Sequence, residues 1–412
     1  MDAYRLLALL FAIPVAAAQS GLAPEVLLLS KVEHRVASDL AHMPDFTCME
    51  TVRRYVRTNA RRTFHMADTL RLEVALVDHK ELFSWPGEEA FGPDLAAMVG
   101  AGTVNIGDFA TTIRGIFGNR VATIHYTGPE TLRGRETERF EYEIPQMWSG
   151  YTIRYANSEG TVASRGSFWV DRASLDLLRV TVSATSIPIN LPISAAETRI
   201  DYARVHLDDQ SLLTPESSET VLTLMNGHES RNEIGFSHWR KFRAESRLSF
   251  GGLASVPEQR KTIERISLPD GLAISIELEA PLDSKIALVG DPIRARLAAD
   301  AKQKGEVVAP KGALLTGRVR RMELQTEPAP HMLVGLEFSE ITFQDKRAMF
   351  LGRMTGTASW PGVTAGAYSG YADLPGVGTL SVEGKLFVLP KGFRMDWRAE
   401  NERRQHWQPG QK

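Results

Sequence analysis

Apolar and polar residues alternate strictly in two neighbouring stretches near the middle of the chain. Phe168 and Val170 occupy every second position before the polar segment 171–176, and Leu178 and Val180 do so after it. A period of two is typical of a β-strand with one buried face. Residues 167–182 are therefore predicted to form a β-hairpin. Similar segments on both sides of it predict a large antiparallel sheet with this hairpin in its middle.

One amphipathic helix is predicted before the strands. In residues 24–43, the apolar positions Leu29, Val32, Val36 and Leu40 recur at steps of three and four residues, which is typical of a helix with one apolar face. That face must be buried, and the strands are its only large partner. We therefore expect the helix to lie on the sheet.

A second helical region interrupts the strands at residues 90–119. Phe109, Ile113 and Ile116 fit a short amphipathic helix that follows the apolar, glycine-rich segment 96–102. Two interpretations of this insertion are open: a packed helical element, or a mobile lid over an apolar cavity.

The alternation also assigns side chains to the concave, inward face of the predicted sheet. They are Phe140, Tyr142, Phe168, Val170, Leu178 and Val180. These six could line a cavity that binds an apolar ligand, or they could pack together as a dry core.

The pattern changes after residue 250. Residues 251–266 are polar and glycine-rich, and beyond them short strands are separated by tight turns such as 269–271 and 310–312, which is typical of a small β-barrel or sandwich. The predicted fold is mostly β, with an α+β N-terminal domain. Its parts are a signal peptide (1–18), a helix-on-curved-sheet domain (24–250), a linker (251–266), a β-barrel or sandwich domain (267–397) and a polar tail (398–412).

The first residues predict export. Residues 6–15 form an apolar core too short to span a membrane stably, and Ala16, Ala17 and Ala18 supply the small residues of a cleavage site. We expect a periplasmic or secreted protein. No later stretch is apolar over the ~18 residues of a membrane helix, so no transmembrane segment is predicted in the mature chain.

Composition excludes several kinds of chemistry. The net charge of -2 provides no bulk attraction to nucleic acid, and the single Cys48 cannot form an internal disulfide. The ten histidines are scattered without zinc-ligand spacing, and no catalytic motif is found. The sequence therefore predicts a protein that is not an enzyme and has no metal and no cofactor.

Two segments carry a resemblance to a known family. The order of helix, antiparallel strands and helical insertion, with Phe-Trp-Val-Asp at 168–171 and Leu-Leu-Arg-Val at 177–180, resembles the half-barrel of periplasmic lipoprotein-carrier proteins of the LolA/LolB type. The resemblance covers residues 24–250. It implies a curved sheet that wraps a helix and accepts acyl chains in its concavity.

The second region resembles a different module. Leu-Pro-Asp-Gly at 268–271, Asp-Pro at 291–292 and Pro-Lys-Gly at 310–312 are similar to the C-terminal β-domain of outer-membrane core components of type IV secretion and conjugation machines. The inner-membrane anchor and helical hairpin of those proteins are not visible in this sequence. The resemblance therefore implies only a β-domain suited to protein contacts in the cell envelope.

Two functions remain open at this point. The first is a non-enzymatic extracytoplasmic binding protein that accepts a lipid or other apolar ligand on the concave face. The alternative is a structural or assembly component of the cell envelope that acts through protein-protein contacts of its C-terminal β-domain. A hydrolase would require a cluster of His, Asp, Glu and Ser side chains in a cleft.

Export with cleavage between Ala18 and Gln19 is the first testable prediction, because the apolar core ends in three small residues. Mass spectrometry of the purified mature protein should find Gln19 at its N-terminus. Retention of Met1 would contradict both the cleavage and the localisation.

Overall fold

The structure is a computed structural model that describes residues 23–59, 63–78, 80–88, 90–99, 103, 109, 111–118, 120–155, 158–242, 264–326, 329–366 and 376–400. Within these residues the chain is mostly β, as the sequence predicts. The predicted signal peptide, residues 251–263 of the predicted linker and residues 401–412 of the predicted tail lie outside the described residues.

The first half of the chain contains one long helix, two short helices and a series of strands. In chain order these are α1 (Pro24–Ala41), β1 (Phe46–Arg57), β2 (His65–Val77), β3 (Lys80–Ser84), α2 (Leu95–Val99), α3 (Thr111–Phe117), β4 (Thr123–Leu132), β5 (Arg135–Ile144), a 3-10 turn (Gln146–Trp148), β6 (Thr152–Tyr155), β7 (Ser158–Thr161), β8 (Ala163–Asp171), β9 (Leu177–Thr185), β10 (Ile193–Leu207), β11 (Gln210–Leu224) and β12 (Glu229–Lys241).

Ten of these strands form one antiparallel sheet in the order β3-β2-β1-β12-β11-β10-β9-β8-β5-β4. The sheet curls into a half-barrel around α1. The predicted curved antiparallel sheet that wraps an N-terminal helix is therefore confirmed, with the hairpin β8–β9 inside the sheet rather than at an edge.

A single row of register partners crosses the concave face of this sheet. Its members are at most 4% exposed, and all but Ser218 are apolar. In order from β2 to β5 they are Leu70, Val52, Ile234, Ser218, Ile200, Val180, Phe168 and Phe140. Because side chains alternate between faces along a strand, this row places the neighbouring apolar positions on the same face.

Helices cover part of this concave face. α1 buries Val32 and Val36, which join Ile113 and Ile116 of α3 in one apolar cluster with the sheet. Phe109 lies before α3 rather than in it, because α3 begins at Thr111. It packs instead on Phe46 of β1, with 5.6 Å between ring centroids.

The second half of the chain is built from short strands. They are β13 (Glu264–Arg265), β14 (Ala273–Leu278), β15 (Leu282–Asp283), β16 (Pro292–Leu297), β17 (Ala301–Gln303), β18 (Glu306–Ala309), β19 (Leu314–Gln325), β20 (His331–Phe343), β21 (Lys346–Met349), β22 (Gly352–Thr357), β23 (Val363–Ala365), β24 (Val377–Glu383), β25 (Val388–Leu389) and β26 (Arg394–Ala399). The main sheet has the order β13-β21-β20-β19-β16-β14-β26-β22, and β24 pairs with β20.

This second sheet nearly closes on itself where β22 lies against β24. A Cβ atom on Gly378 of β24 would lie 2.6 Å from atoms of both Met354 of β22 and Trp397 of β26. Glycine is therefore required for this close approach. The result is a barrel-like domain around the buried side chains of Trp397 and Phe338, which pack edge to face.

The same Pro-x-Gly turn recurs three times in this domain, at 269–271, 310–312 and 390–392. Each glycine has a positive φ, between 76° and 85°, which favours glycine at that turn position. Each glycine N–H also donates to the end of a neighbouring strand; the acceptors are the carbonyl oxygens of Ala399, Leu297 and Leu278. The turns therefore hold β14, β19 and β26 in register with their partners.

The two halves of the chain contact each other along the edge of β2. The N–H of Val289 donates to the Thr69 oxygen at 3.1 Å, and the Arg71 N–H donates to the Val289 oxygen at 2.8 Å. Trp85 lies beside this edge, with the guanidinium groups of Arg318 and Arg320 at 5.6 and 5.4 Å from its ring centroids. A continuous cluster of buried apolar residues links the two sheets there.

Separate folding of residues 24–250 and 267–397 stays a prediction, and this interface is where the two units would meet. Burial lowers the pKa of Arg318 to about 10, and the guanidinium is held by Glu88 of the first half and Glu337 of the second. Trp85 and these ion pairs therefore add to the backbone hydrogen bonds of Val289 in fixing one unit against the other.

Gly290→Ala should destabilise the protein more than Gly312→Ala. Both glycines have positive φ, 101° and 85°, so both substitutions cost about 1–2 kcal/mol of backbone strain. Only at Gly290 would the new Cβ collide with the Arg71 carbonyl oxygen and lie 2.7 Å from the Trp85 ring, which adds about 1–3 kcal/mol of overpacking. Urea denaturation of both variants measures the difference, and equal losses would contradict the described interface.

Candidate functional site

Five of the six side chains predicted to face inward lie together on the concave face. Phe140, Phe168, Val170 and Val180 are fully buried and Tyr142 is 3% exposed. All five belong to one cluster with α1 and α3.

The prediction that Leu178 faces inward is wrong, and Leu177 occupies the inward position instead. In the pairing of β8 with β9, Trp169 lies opposite Arg179 but Val170 lies opposite Leu177, so the register shifts by one residue. Leu178 is the extra residue of this β-bulge. It is half-buried and lines a separate surface cavity, whereas Leu177 is fully buried in the cluster.

An aromatic platform forms the floor of the concave face. The rings of Phe140 and Phe168 stack with 4.9 Å between centroids and 10° between planes, and Phe117 of the insertion meets Phe168 edge to face at 5.0 Å. The Tyr142 hydroxyl donates to the Thr181 oxygen at 3.0 Å, and burial raises the pKa of Tyr142. The floor is therefore apolar and uncharged at neutral pH.

Helix α1 covers this platform but buries few of its own side chains. Of its 18 residues only Val32 and Val36 are buried, while Val26 and Leu27 near its N-terminus are 47% and 46% exposed. Leu28, Leu29 and Leu40 pack at the margin of the cluster. The helix is thus a cover that rests on few side chains.

An ion cluster fastens the C-terminal half of α1 to the sheet. The Arg35 Nη2 donates to Asp176 Oδ1 at 2.9 Å, and the Arg204 Nη2 donates to Asp176 Oδ1 at 2.6 Å and to Asp39 at 3.0 Å. Arg35 and Asp39 belong to α1, Asp176 precedes β9 and Arg204 lies on β10. We call these four residues the rim cluster.

The charges of the rim cluster reinforce one another. Burial alone would raise the pKa of Asp176, but hydrogen bonds from Arg204 and Arg35, together with their charges, lower it to about 2. The hydrogen bond to Asp176 in turn raises the pKa of Arg204. Asp176 and Arg204 therefore stay ionised across the physiological pH range.

A surface cavity of about 450 Å³ opens beside the rim cluster. Its lining includes Leu178, Tyr202 and Leu213 together with three arginines. Each of these arginines has an acidic partner: Arg133 pairs with Asp201 at 2.6 Å and Arg135 with Asp171 at 2.8 Å, and Arg204 belongs to the rim cluster. Because the arginines are already neutralised, the cavity offers no excess charge for an anionic ligand.

Two polar groups of the concave face were not singled out from the sequence. Arg204 has the same strand parity as Ile200 and Tyr202, and Glu138 has the same parity as Phe140. Glu138 is 6% exposed and accepts hydrogen bonds from the Tyr126 hydroxyl at 2.6 Å and the Arg172 Nε at 2.7 Å. The period-two pattern already places both positions on the concave face, but charged residues are typical of positions that face solvent.

In the part of the chain that the structure describes, no group of three or more His, Cys, Asp or Glu side chains is arranged to hold a metal ion. No helix among the described residues combines the length and apolar character needed to cross a membrane.

Comparisons with known proteins found structures but no sequence relatives. No protein-family model and no curated protein matches the chain. Similar solved structures include a domain named for outer membrane lipoprotein sorting from Vibrio parahaemolyticus (11% identity, TM-score 0.31, covering 53% of this chain and 93% of that one). A LolA superfamily protein from Nitrosomonas europaea (9%, TM-score 0.26, 52% and 93%) and the lipoprotein LppX from Mycobacterium tuberculosis (10%, TM-score 0.21, 54% and 98%) are also similar. The matches span about half of this chain, and at these TM-scores they carry no argument about its function.

Asp176→Asn should weaken the attachment of α1. The pKa of Asp176 is about 2 in the folded protein against 3.8 for the free group. Its carboxylate therefore stabilises the fold above about pH 4, and this contribution is lost as the pH falls towards about 2. We expect a loss of about 1–2 kcal/mol at pH 7, because solvent screens part of the interaction.

Urea denaturation between pH 7 and pH 2 tests this expectation. Glu136→Gln is the control, since the side chain of Glu136 is 76% exposed beside Arg172 and its removal should change the free energy of unfolding by less than about 0.5 kcal/mol. Equal effects of the two substitutions, or an unchanged pH profile in Asp176→Asn, would argue against the rim cluster.

Proposed function

We propose that the protein is a non-enzymatic, extracytoplasmic binding protein that holds a lipid or other apolar ligand on the concave face of its first sheet. The observation that supports this most directly is the combination of a continuous apolar row across that face with a cover, α1, that buries only two of its own side chains there. A face that serves only as a permanent core would be covered by an element that buries more of its own side chains.

In the structure the side chains of α1 and α3 occupy the space above the aromatic platform, so a ligand would replace α1 rather than enter beside it. Exposing two buried valines costs about 3–6 kcal/mol at ~1.5–3 kcal/mol each, and the half-buried leucines add to this. A dozen buried methylenes regain about 10 kcal/mol at ~0.8 kcal/mol each. The hydrogen bonds of the rim cluster must also break, which brings the cost closer to the gain, so loading and release can both occur.

The proposed location rests on the apolar segment and alanine-rich site at residues 6–18. That location is the periplasm or the exterior of the cell, where an apolar ligand needs a carrier to cross water. We also propose that the second half, whose residues 268–321 resemble a secretion-machine β-domain, contacts an envelope protein.

A specific observation favours such a contact as a second candidate function. Ile286, Leu386 and Val388 are 72%, 60% and 53% exposed. They are brought together by the pairing of β15 with β25, in which Asp283 lies opposite Val388, and by the hydrogen bond from the Ser284 N–H to the Phe387 oxygen. Exposed apolar side chains grouped in this way are typical of protein interfaces.

Ligand binding is tested on the purified mature protein. Native mass spectrometry and organic extraction should detect a co-purified lipid, and fluorescent fatty-acyl probes should bind at micromolar concentration. Arg204→Met should speed probe association several-fold, because it removes the bonds that hold α1 to the sheet. Arg296→Met is the matched control, since it removes an exposed arginine paired with Glu279 in the second half.

Two results would count against the carrier function. If no lipid co-purifies and the probes fail to bind at micromolar concentration, the structural role of the second half becomes the better interpretation. If the probes bind but Arg204→Met and Arg296→Met behave alike, the ligand does not enter by displacing α1.

A further inference from the structure

Three segments of the first half are free of charged side chains. Residues 144–153, 180–196 and 220–228 contain no Asp, Glu, Lys or Arg, although these four types make up 24% of the chain. Loops at the surface of a protein are normally polar and charged. The depletion therefore calls for a physical reason.

The fold brings these three segments to one end of the sheet. The N–H of Met225 donates to the Pro192 oxygen at 3.0 Å, and the N–H of Val162 donates to the Tyr151 oxygen at 3.0 Å. The Asn190 side chain donates to the Glu159 oxygen at 3.2 Å. The segments are thus neighbours, with the hairpin β6–β7 between two of them.

Each segment exposes large apolar side chains at this end. Met147 and Trp148 are 78% and 59% exposed, Ile189 is 98% exposed and Met225 is 71% exposed. We call these four residues the apolar tip. Beneath it the segments share a small apolar core, whose residues are Ile153, Val162, Leu191, Ile193, Ala196 and Leu222. The tip is therefore held on a packed base.

We propose that the apolar tip docks the protein on the surface of a lipid bilayer. The four side chains enter the boundary between headgroups and acyl chains, and Trp148 lies at the level where aromatic rings are enriched. Transfer of a charge towards hydrocarbon is unfavourable, so three charge-free segments are electrostatically matched to a lipid phase. Two ion pairs border these segments: Arg154 and Glu159 are joined at 2.7 Å, and Glu229, which directly follows the third segment, pairs with Arg57. Each pair is mutually neutralised.

A protein partner fits these observations less well. Protein interfaces are enriched in arginine and have a polar rim with hydrogen-bonding groups, whereas the three segments have no arginine at all. Their exposed side chains project from three separate loops. Lipid adapts its shape to such projections. The proposal is independent of the ligand proposed for the concave face, since docking needs no cavity.

Flotation with neutral phosphatidylcholine vesicles tests the proposal on the protein purified after export. The protein should float with the vesicles, and Ile189→Asp should reduce the floating fraction at least five-fold. Met349→Asp is the matched control, because Met349 is 78% exposed in the second half and lies outside the apolar tip. All variants share one N-terminus, so a contribution from residues 1–18 would be the same in each.

A second measurement reports insertion directly. A polarity-sensitive dye on Ile189→Cys should shift to shorter emission wavelength when vesicles are added, and the same dye on Met349→Cys should not. The native Cys48 is buried and will not compete for the dye. Because Ile189 is 98% exposed, thermal melting should show that its substitution leaves the fold intact.

Three outcomes would overturn the proposal. The first is failure of the protein to float with neutral vesicles, including the case in which this end binds a protein instead. The second is equal flotation of Ile189→Asp and Met349→Asp. The third is flotation only with anionic vesicles that is abolished by salt, since basic side chains would then carry the attachment.

Discussion

The apolar row across the concave face is the constraint on which the rest of the first half depends. It runs from Leu70 to Phe140 through eight strands, and each member lies opposite the next in the backbone register. A slip of one residue in any strand would turn its apolar side chains to solvent. Burial of the row therefore holds the order and the register of the sheet together.

The row also explains why two separate covers lie on the sheet. Ser218 interrupts it, and the buried residues on either side fall into two apolar clusters. α1 and α3 cover one side, and α2 with Phe109 covers the other. The second half of the chain packs on the latter side through Trp85 and Val289. Only the α1 side is left with a cover held by few buried contacts.

Charge is distributed unequally between the two ends of this sheet. The rim cluster and the arginine–carboxylate pairs of the nearby cavity lie at the end with the β4–β5 and β8–β9 turns. The opposite end carries the apolar tip and its charge-free segments. The ionised groups of the first end remain in water, whereas the charge-free segments of the other end can leave it. Because of this asymmetry, the proposed docking on lipid would place the apolar tip in the bilayer and the rim cluster in water.

The sequence by itself determined the elements whose pattern is local. Periods of two and of 3.6 predict the hairpin β8–β9 and the helix α1, and the Pro-x-Gly segments predict turns. Tertiary structure alone decided that a bulge places Leu177 rather than Leu178 on the inward face and that Phe109 packs on Phe46. It also decided that three charge-free segments meet at one end of the first sheet. Each of these depends on hydrogen bonds and packing between residues far apart in the chain, which periodicity along one segment cannot report.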